Sequence, residues 1–248
     1  LGQFLGDAAF SPQVIWSIDY ANTAIQVQPA TSALFAALPS LLTASGASNP
    51  LAFARLTPEP YASATQMGVD QTLSLVDMAR GPGFAATDRE DVSVFTFAQG
   101  VGHWHTLGAD QDAGTAKARS SGYGFLGGIG IGNRDGSVGA FAGYLDSRQR
   151  IAALGAATST DGFVAGVHGR YAAGGVQLSA SVLYDGGNAR TTRSLPGAST
   201  ATGQYGLHSW AGDASVGYTL AMADDWTLTP KIGVTYLRTT RDHVSEVG

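Results

Sequence analysis

The sequence predicts an all-β fold, a transmembrane antiparallel up-and-down barrel with one long polar helix ahead of it. Three observations predict this. From Asp91 onward bulky apolar side chains recur at every second position, the period of a strand. The residues between them are small or polar and carry few charges. Short turns alternate with longer Gly/Ser/Thr-rich loops, the arrangement of an outer-membrane barrel.

Taken in chain order, "SPQVIWSIDYANTAIQVQ" (11–28) reads as two short strands around a turn at Ala21-Asn22, with Val14, Trp16, Ile18 and Tyr20 on one face. "TSALFAALPSLLTASG" follows as a short helical piece broken or kinked at Pro39. From Thr57, with Pro58 at the first position, a helix is expected to run to the stop at Arg80-Gly81-Pro82. Its roughly 22 residues make about 33 Å, close to the hydrocarbon thickness of a bilayer. Glu59, Asp70 and Asp77 make it too polar to face lipid.

The strands expected after it are 92–107, 119–132, 137–150, 161–172, 176–190, 206–221 and 226–240, with short turns at 133–137, 172–175 and 222–225. In 161–172, Phe163, Val167 and Tyr171 oppose Gly166, His168 and Arg170. In 226–240, Trp226, Ile232, Val234 and Tyr236 oppose Thr229, Lys231 and Thr235. A water-soluble sandwich would set large residues inside against many Lys and Glu outside. Here the second face is small and Tyr171, Tyr184, Trp226 and Tyr236 stand near strand ends, as in an interfacial girdle. The bulky face is therefore expected to meet lipid and the polar face a lumen.

Composition narrows the function classes. The chain has 248 residues, a net charge of −5 and only 13% charged residues, which argues against a nucleic-acid partner. Its 34 glycines are nearly twice the usual share and lie among the strands. It has no cysteine, and no apolar run is long enough for a spanning helix. "HWH" sets His103 and His105 on one strand face, but no cysteine or carboxylate pair completes a metal set. "GGIGIGNRDG" lacks the helix that a dinucleotide fingerprint requires. No G-x-S-x-G elbow is present. No metal, cofactor or catalytic residue is expected.

The order of elements carries a resemblance. "WSIDYANTAIQV" resembles the closing rungs of a passenger β-helix, and "PYASATQMGVDQTLSLVDMAR" a pore helix. "FAQGVGHWH", "GYGFLGGIGIG" and "VGAFAGYLDS" resemble the first three strands of a barrel. Together the chain resembles the translocator of autotransporters (type V secretion). That resemblance implies a barrel of twelve strands, of which about seven are here, with the helix threading its lumen. It divides the chain into the passenger's end at 1–30, a linker at 31–56, the pore helix at 57–82 and a truncated barrel at 91–248. The chain is expected to be a fragment, cut at both ends.

Outer-membrane lipid, the protein's own passenger, the barrel assembly machinery and periplasmic chaperones are the implied partners, and export and surface anchoring of the passenger the implied work. No Asn lies between Asn49 and Asn133, so the Asn-Asn self-cleavage of some relatives has no candidate. Asp70, Gln71, Asp77 and Arg80 are expected to bond lumen groups including His168, Arg170 and Lys231 as a plug. Two alternatives stand beside this reading. One is an outer-membrane barrel enzyme of lipase/esterase type using His168 or His208; the other is a soluble β-sandwich adhesin module.

Overall fold

The structure, a computed structural model, describes residues 3–28, 33–81, 90–110, 112–222 and 226–247. Its helices are α1 (Pro12–Val27), α2 (Ala33–Ala37), α3 (Pro50–Ala54) and α4 (Glu59–Ala79), with a 3₁₀ turn at Leu38–Leu41 that contains Pro39. Six long strands follow: β1 (Ser93–Leu107), β2 (Ala118–Gly132), β3 (Gly136–Ile151), β4 (Ala156–Ala173), β5 (Val176–Ser194) and β6 (Thr200–Tyr218). A two-residue pair, β7 (Leu220–Ala221) with β8 (Thr227–Leu228), precedes β9 (Lys231–Arg241) and β10 (Ser245–Val247).

β1 to β6 pair antiparallel in sequence order, an unbroken meander, and β9 and β10 both lie along β6. The sheet curves around α4 but does not close; β1 and β9–β10 are its two edges. The strand count along the wall agrees with the sequence reading. The turns at Asn133–Gly136 and Gly174-Gly175 fall where expected, while the third, at 222–225, falls largely outside the described residues.

The outward face carries the bulky residues. Tyr123, Phe125, Phe163, Val167, Trp210 and Tyr236 are all exposed. Among the described residues nothing covers so broad an apolar face, and in water it would be an aggregation surface. The sandwich alternative fails on this point, since the same rings would have to meet each other between two sheets. Hydrocarbon is the medium that such a face fits.

The inward face departs from expectation. It is not a uniformly small, polar lining: Val101, Leu126, Phe141, Leu145, Val164 and Leu183 point inward and pack against Leu75 and Val76 of α4. Glycine on β2 makes room beside this belt. A Cβ at Gly128 would run into the Phe97 ring folded over it from β1.

Two sequence expectations are corrected. The pair of strands at 11–28 is helix α1. Val14, Ile18, Ala21 and Ile25 are its buried residues, spaced for one helical face. Trp16 and Tyr20, grouped with them by alternation, are 68% and 77% exposed. The expected turn residue Asn22 instead holds Phe4: its Oδ1 accepts from the Phe4 N–H at 2.8 Å and its Nδ2 donates to the Phe4 carbonyl at 2.9 Å. Residues 1–30 are therefore not β-helix rungs where the structure describes them. They join α2 and α3 around Phe4, Ile18, Leu41 and Phe53 in a small helical core of their own.

Two of the three long loops are also shorter than expected, while the one between β1 and β2 has the expected length. β4 begins at Ala156 and β5 continues to Ser194, so only Leu195–Ser199 connects β5 to β6. The wall thus rises well past its apolar band on the loop side.

Candidate functional site

The interface between α4 and the inner wall is the site the fold builds. α4 starts helical because Glu59 and Pro60 occupy its first turn, where a carboxylate suits the dipole and a proline loses no bond. The cap differs from expectation: Pro58 is the N-cap, and Thr57 Oγ1 donates to the Ala54 carbonyl at 2.7 Å. Tyr61, Ala64, Met67, Gly68, Gln71, Thr72, Leu75 and Val76 are buried, the i, i+3, i+4, i+7 stripe that faces the sheet. At Gly68 the helix approaches the wall closely; a Cβ would sit 3.0 Å from Leu207 Cδ2 and 3.2 Å from Thr239 Cγ2.

At the loop-side rim, Glu59 accepts a hydrogen bond from the Ala116 N–H and Tyr61 Oη donates to Glu246 Oε1 at 2.5 Å. Arg193 grips Glu246 bidentately, at 2.6 Å for each bond, and donates to the carbonyls of Arg55 at 2.8 Å and Thr57 at 3.2 Å. One arginine of the wall thereby ties β10, the segment before α4 and the helix start together. It also holds the Glu246 carboxyl below the usual carboxylate range.

Deeper, Asp185 of β5 sits in the interface, 5% exposed. Gln71 Nε2 donates to its Oδ2 at 2.8 Å and Thr72 Oγ1 reaches the same oxygen at 3.4 Å. Ser147 Oγ donates to Gln71 Oε1 at 2.6 Å, so both ends of the amide are used. Below lies the apolar belt around Leu75 and Val76. Below that, Arg80 donates from Nε to Asp213 Oδ2 at 2.9 Å and from its second nitrogen to Oδ1. Thr235 Oγ1 donates to the same Asp213 oxygen at 2.7 Å and accepts from Arg80 at 2.8 Å.

α4 is thus held at a polar rim, a buried amide–carboxylate bond, an apolar belt and a guanidinium–carboxylate bridge. It enters at the long-loop rim, and its C-terminal end lies toward the turn side, where β1 begins.

The residues named from sequence are placed as follows. Gln71 and Arg80 meet the wall directly. Asp77 bonds Arg80 at 3.0 Å on the helix itself, and its own side chain is 73% exposed. Asp70 accepts from Gln66 Nε2 at 3.0 Å and lies 3.6 Å from His105 Nε2. His168 packs against the rings of Phe97 and Phe141, at 6.0 and 6.3 Å between centroids. Arg170 and Lys231 do not bond the helix; with Arg80, Gln177, Ser179 and Ser215 they line a cavity of about 220 Å³ at its C-terminal end. The wall partners that sequence reasoning missed are Asp185 and Asp213. Their signal was present: both fall on inward positions of otherwise Ser-, Ala- and Gly-rich strands, where an acid without a partner is costly.

His208, the other histidine of the enzyme alternative, points outward and shares a 2.9 Å hydrogen bond with Tyr184 Oη, with Asp242 at 3.7 Å. Among the described residues no three His, Asp or Glu side chains are grouped to hold a metal.

With this geometry in hand, comparison with known proteins decides the family. A model of the autotransporter β-domain matches residues 96–248. The chain belongs to the autotransporter β-domain family. Among solved structures it is similar to the translocator domain of the autotransporter NalP from Neisseria meningitidis, with a TM-score of 0.52 and 20% identity. That likeness shows the shared fold and covers 72% of this chain and 63% of the NalP domain. No curated protein sequence matches. As an autotransporter β-domain, the wall lies in the outer membrane, its outward rings against lipid.

Proposed function

We propose that this autotransporter β-domain is the part of an outer-membrane translocator that exports an N-terminal passenger to the cell surface and anchors it there. The observation that carries the proposal is the path of α4. It runs along the inner wall from the long-loop rim toward the turn side, tied to Asp185 and Asp213, while the opposite face of the same strands is apolar. A chain that enters at the rim and leaves where β1 begins has its N-terminal side at the cell surface. Residues 3–28 and 33–56, which form a helical piece on that rim, are then the surface end of the exported segment. The barrel assembly machinery and periplasmic chaperones are the partners that this path requires. The chain works by folding and binding rather than catalysis, and its passenger stays attached or is cut by another protease.

Displaying the full-length protein on intact cells tests export. Residues upstream of α4 should be cleaved by added protease while the strand turns stay protected; passenger protected inside intact cells would overturn the proposal. Deleting 57–80 tests the plug. Single-channel current through the full-length barrel should rise, and unchanged current would show that α4 does not occupy the lumen.

A further inference from the structure

At the upper end of the aromatic band, the outward wall changes character. Phe125, Tyr144 and Phe163 are register neighbours on β2, β3 and β4, and the exposed aromatic residues continue upward from them through Tyr123 of β2 to Trp104 of β1. Four residues along the strands from Tyr144 and Phe163, Arg148 of β3 faces Ser159 of β4, which faces Arg190 of β5. Two residues further still, Arg119 of β2 stands directly opposite Arg150 of β3. The four arginines line one shallow groove of about 700 Å³ on the outer surface. At a rise of about 3.4 Å per residue and a tilt near 40°, Arg148 and Arg190 stand about 10 Å and Arg119 and Arg150 about 16 Å above the Phe125–Tyr144–Phe163 row. Trp104, in register with Ser121 and so with Arg148, sets the first pair at the membrane interface, where lipid headgroups begin.

The charges are not arranged to satisfy one another. Like charges directly opposite on neighbouring strands destabilise a pair. Among the described residues the side chains of Arg119, Arg150 and Arg190 have neither an acidic nor a hydrogen-bond partner. Arg148 has Asp146 at 3.8 Å, too long for a hydrogen bond. The nearest carboxylates, Asp146 and Asp161, lie between the arginines and the aromatic row and face each other across β3 and β4. Four positive charges against two leave the groove positive in a chain whose net charge is −5. At the other rim Arg134, by contrast, is balanced by Glu90 at 3.0 Å and Asp135 at 3.6 Å.

We propose that Arg119, Arg148, Arg150 and Arg190 form a binding site for the phosphate groups of a phosphorylated lipid in the leaflet that surrounds the long-loop rim. Guanidinium is the side chain that meets phosphate oxygens with two parallel N–H bonds, and Ser159 adds a hydroxyl donor between two of the four. A phosphate between Arg119 and Arg150 turns their repulsion into a shared contact. The neighbouring aromatic and aliphatic side chains then take the acyl chains of the same molecule. The site gives the barrel a specific lipid collar on one side and thereby fixes its depth and orientation in the membrane.

This rests on the membrane placement of the wall, and the experiment separates the two. The full-length protein in detergent is titrated with a bis-phosphorylated saccharolipid, with the same lipid after dephosphorylation, and with inorganic phosphate, with binding read by native mass spectrometry. The wild type should hold the phosphorylated lipid at least tenfold more tightly than the dephosphorylated one. The R119Q/R148Q/R150Q/R190Q variant, its folding checked by unchanged β-sheet circular dichroism, should lose that preference while keeping lipid. Equal binding of both lipids by the wild type overturns the site whether or not the variant folds, as does a folded variant that keeps the preference. Inorganic phosphate that displaces the lipid at equal concentration assigns the groove to free anions and overturns the lipid. Association with neither lipid overturns the membrane placement itself.

Discussion

The two faces of one wall do opposite things with similar residues. On β5, Val182 and Leu183 are neighbours in sequence; Val182 is 50% exposed on the lipid side and Leu183 is 1% exposed against Leu75 and Val76 of α4. Leucine and valine outside are solvent-matched and need no partner, because hydrocarbon is as apolar as they are. The same residues inside gain only by packing, in a belt shaped to one helix. The lesson is that apolar character sets the outer face, whereas fit sets the inner one.

Truncation at adjacent positions is the sharpest way to break that contrast. Leu183→Ala should cost about 2–5 kcal/mol through the cavity it leaves beside Leu75, whereas Val182→Ala should cost less than about 1. Urea denaturation of the folded full-length protein in detergent reads both, and equal losses would remove the distinction. Reversing the medium comes next. Val167→Arg puts a charge into the lipid band and should cost about 2–4 kcal/mol in lipid vesicles, measured by the same unfolding titration.

Two smaller effects probe how α4 is seated. Gly68→Val overfills the close approach to Leu207 and Thr239 and should cost about 1–3 kcal/mol. It should also raise single-channel current by loosening the helix. Gln71→Leu leaves the buried Asp185 with only the Thr72 hydroxyl from the helix, whose single proton also serves the Gly68 carbonyl at 2.8 Å, and should cost about 1–3 kcal/mol, recovered in part by pairing it with Asp185→Asn.

The smallest effect is at the rim. Because Arg193 lowers the Glu246 pKa, the bridge adds stability above the unfolded Glu value of about 4.3 and loses it as pH falls through the lowered folded value. Hydrogen exchange of residues 55–61 should therefore be unchanged from pH 7 to 5, allowing for the intrinsic rate. It should speed up below about pH 4 in the wild type but not in Glu246→Gln.

How much of this was legible follows the same division. The outer face could be read because lipid imposes one demand on every second residue, and Phe163, Val167 and Tyr171 meet it without knowing their neighbours. α4 could be read because the sequence Arg80-Gly81-Pro82 marks its stop and no proline precedes that point after Pro60. Helix α1 was misread because Val14, Trp16, Ile18 and Tyr20 alternate like a strand, while its buried set, Val14, Ile18, Ala21 and Ile25, fits only a helix. Alternation over seven residues satisfies both periods, and the exposed Trp16 and Tyr20 supplied a false apolar face.

The upper ends of β4, β5 and β6 were missed because residues such as Thr158, Ser159, Thr191 and Thr192 lie above the band, where neither face is strongly apolar. At the helix–wall site, charge sign pointed to Arg170 and Lys231 as partners for the acids of α4. The structure pairs Arg80 with Asp213 and Gln71 with Asp185, since contact depends on depth along the strand, which charge does not encode.

The central claim, that bulky residues on these strands meet lipid and their sequence neighbours meet α4, has a direct measurement. The chain has no cysteine, so a single one can be placed at will. Spin labels at Phe163, Val164, Val167 and His168 of the reconstituted full-length protein would report access to oxygen, which dissolves in lipid, and to a water-soluble nickel chelate. High oxygen and low nickel access at 163 and 167, with little of either at 164 and 168, is the predicted result. Nickel access at 163 and 167 equal to that of an exposed loop would contradict it.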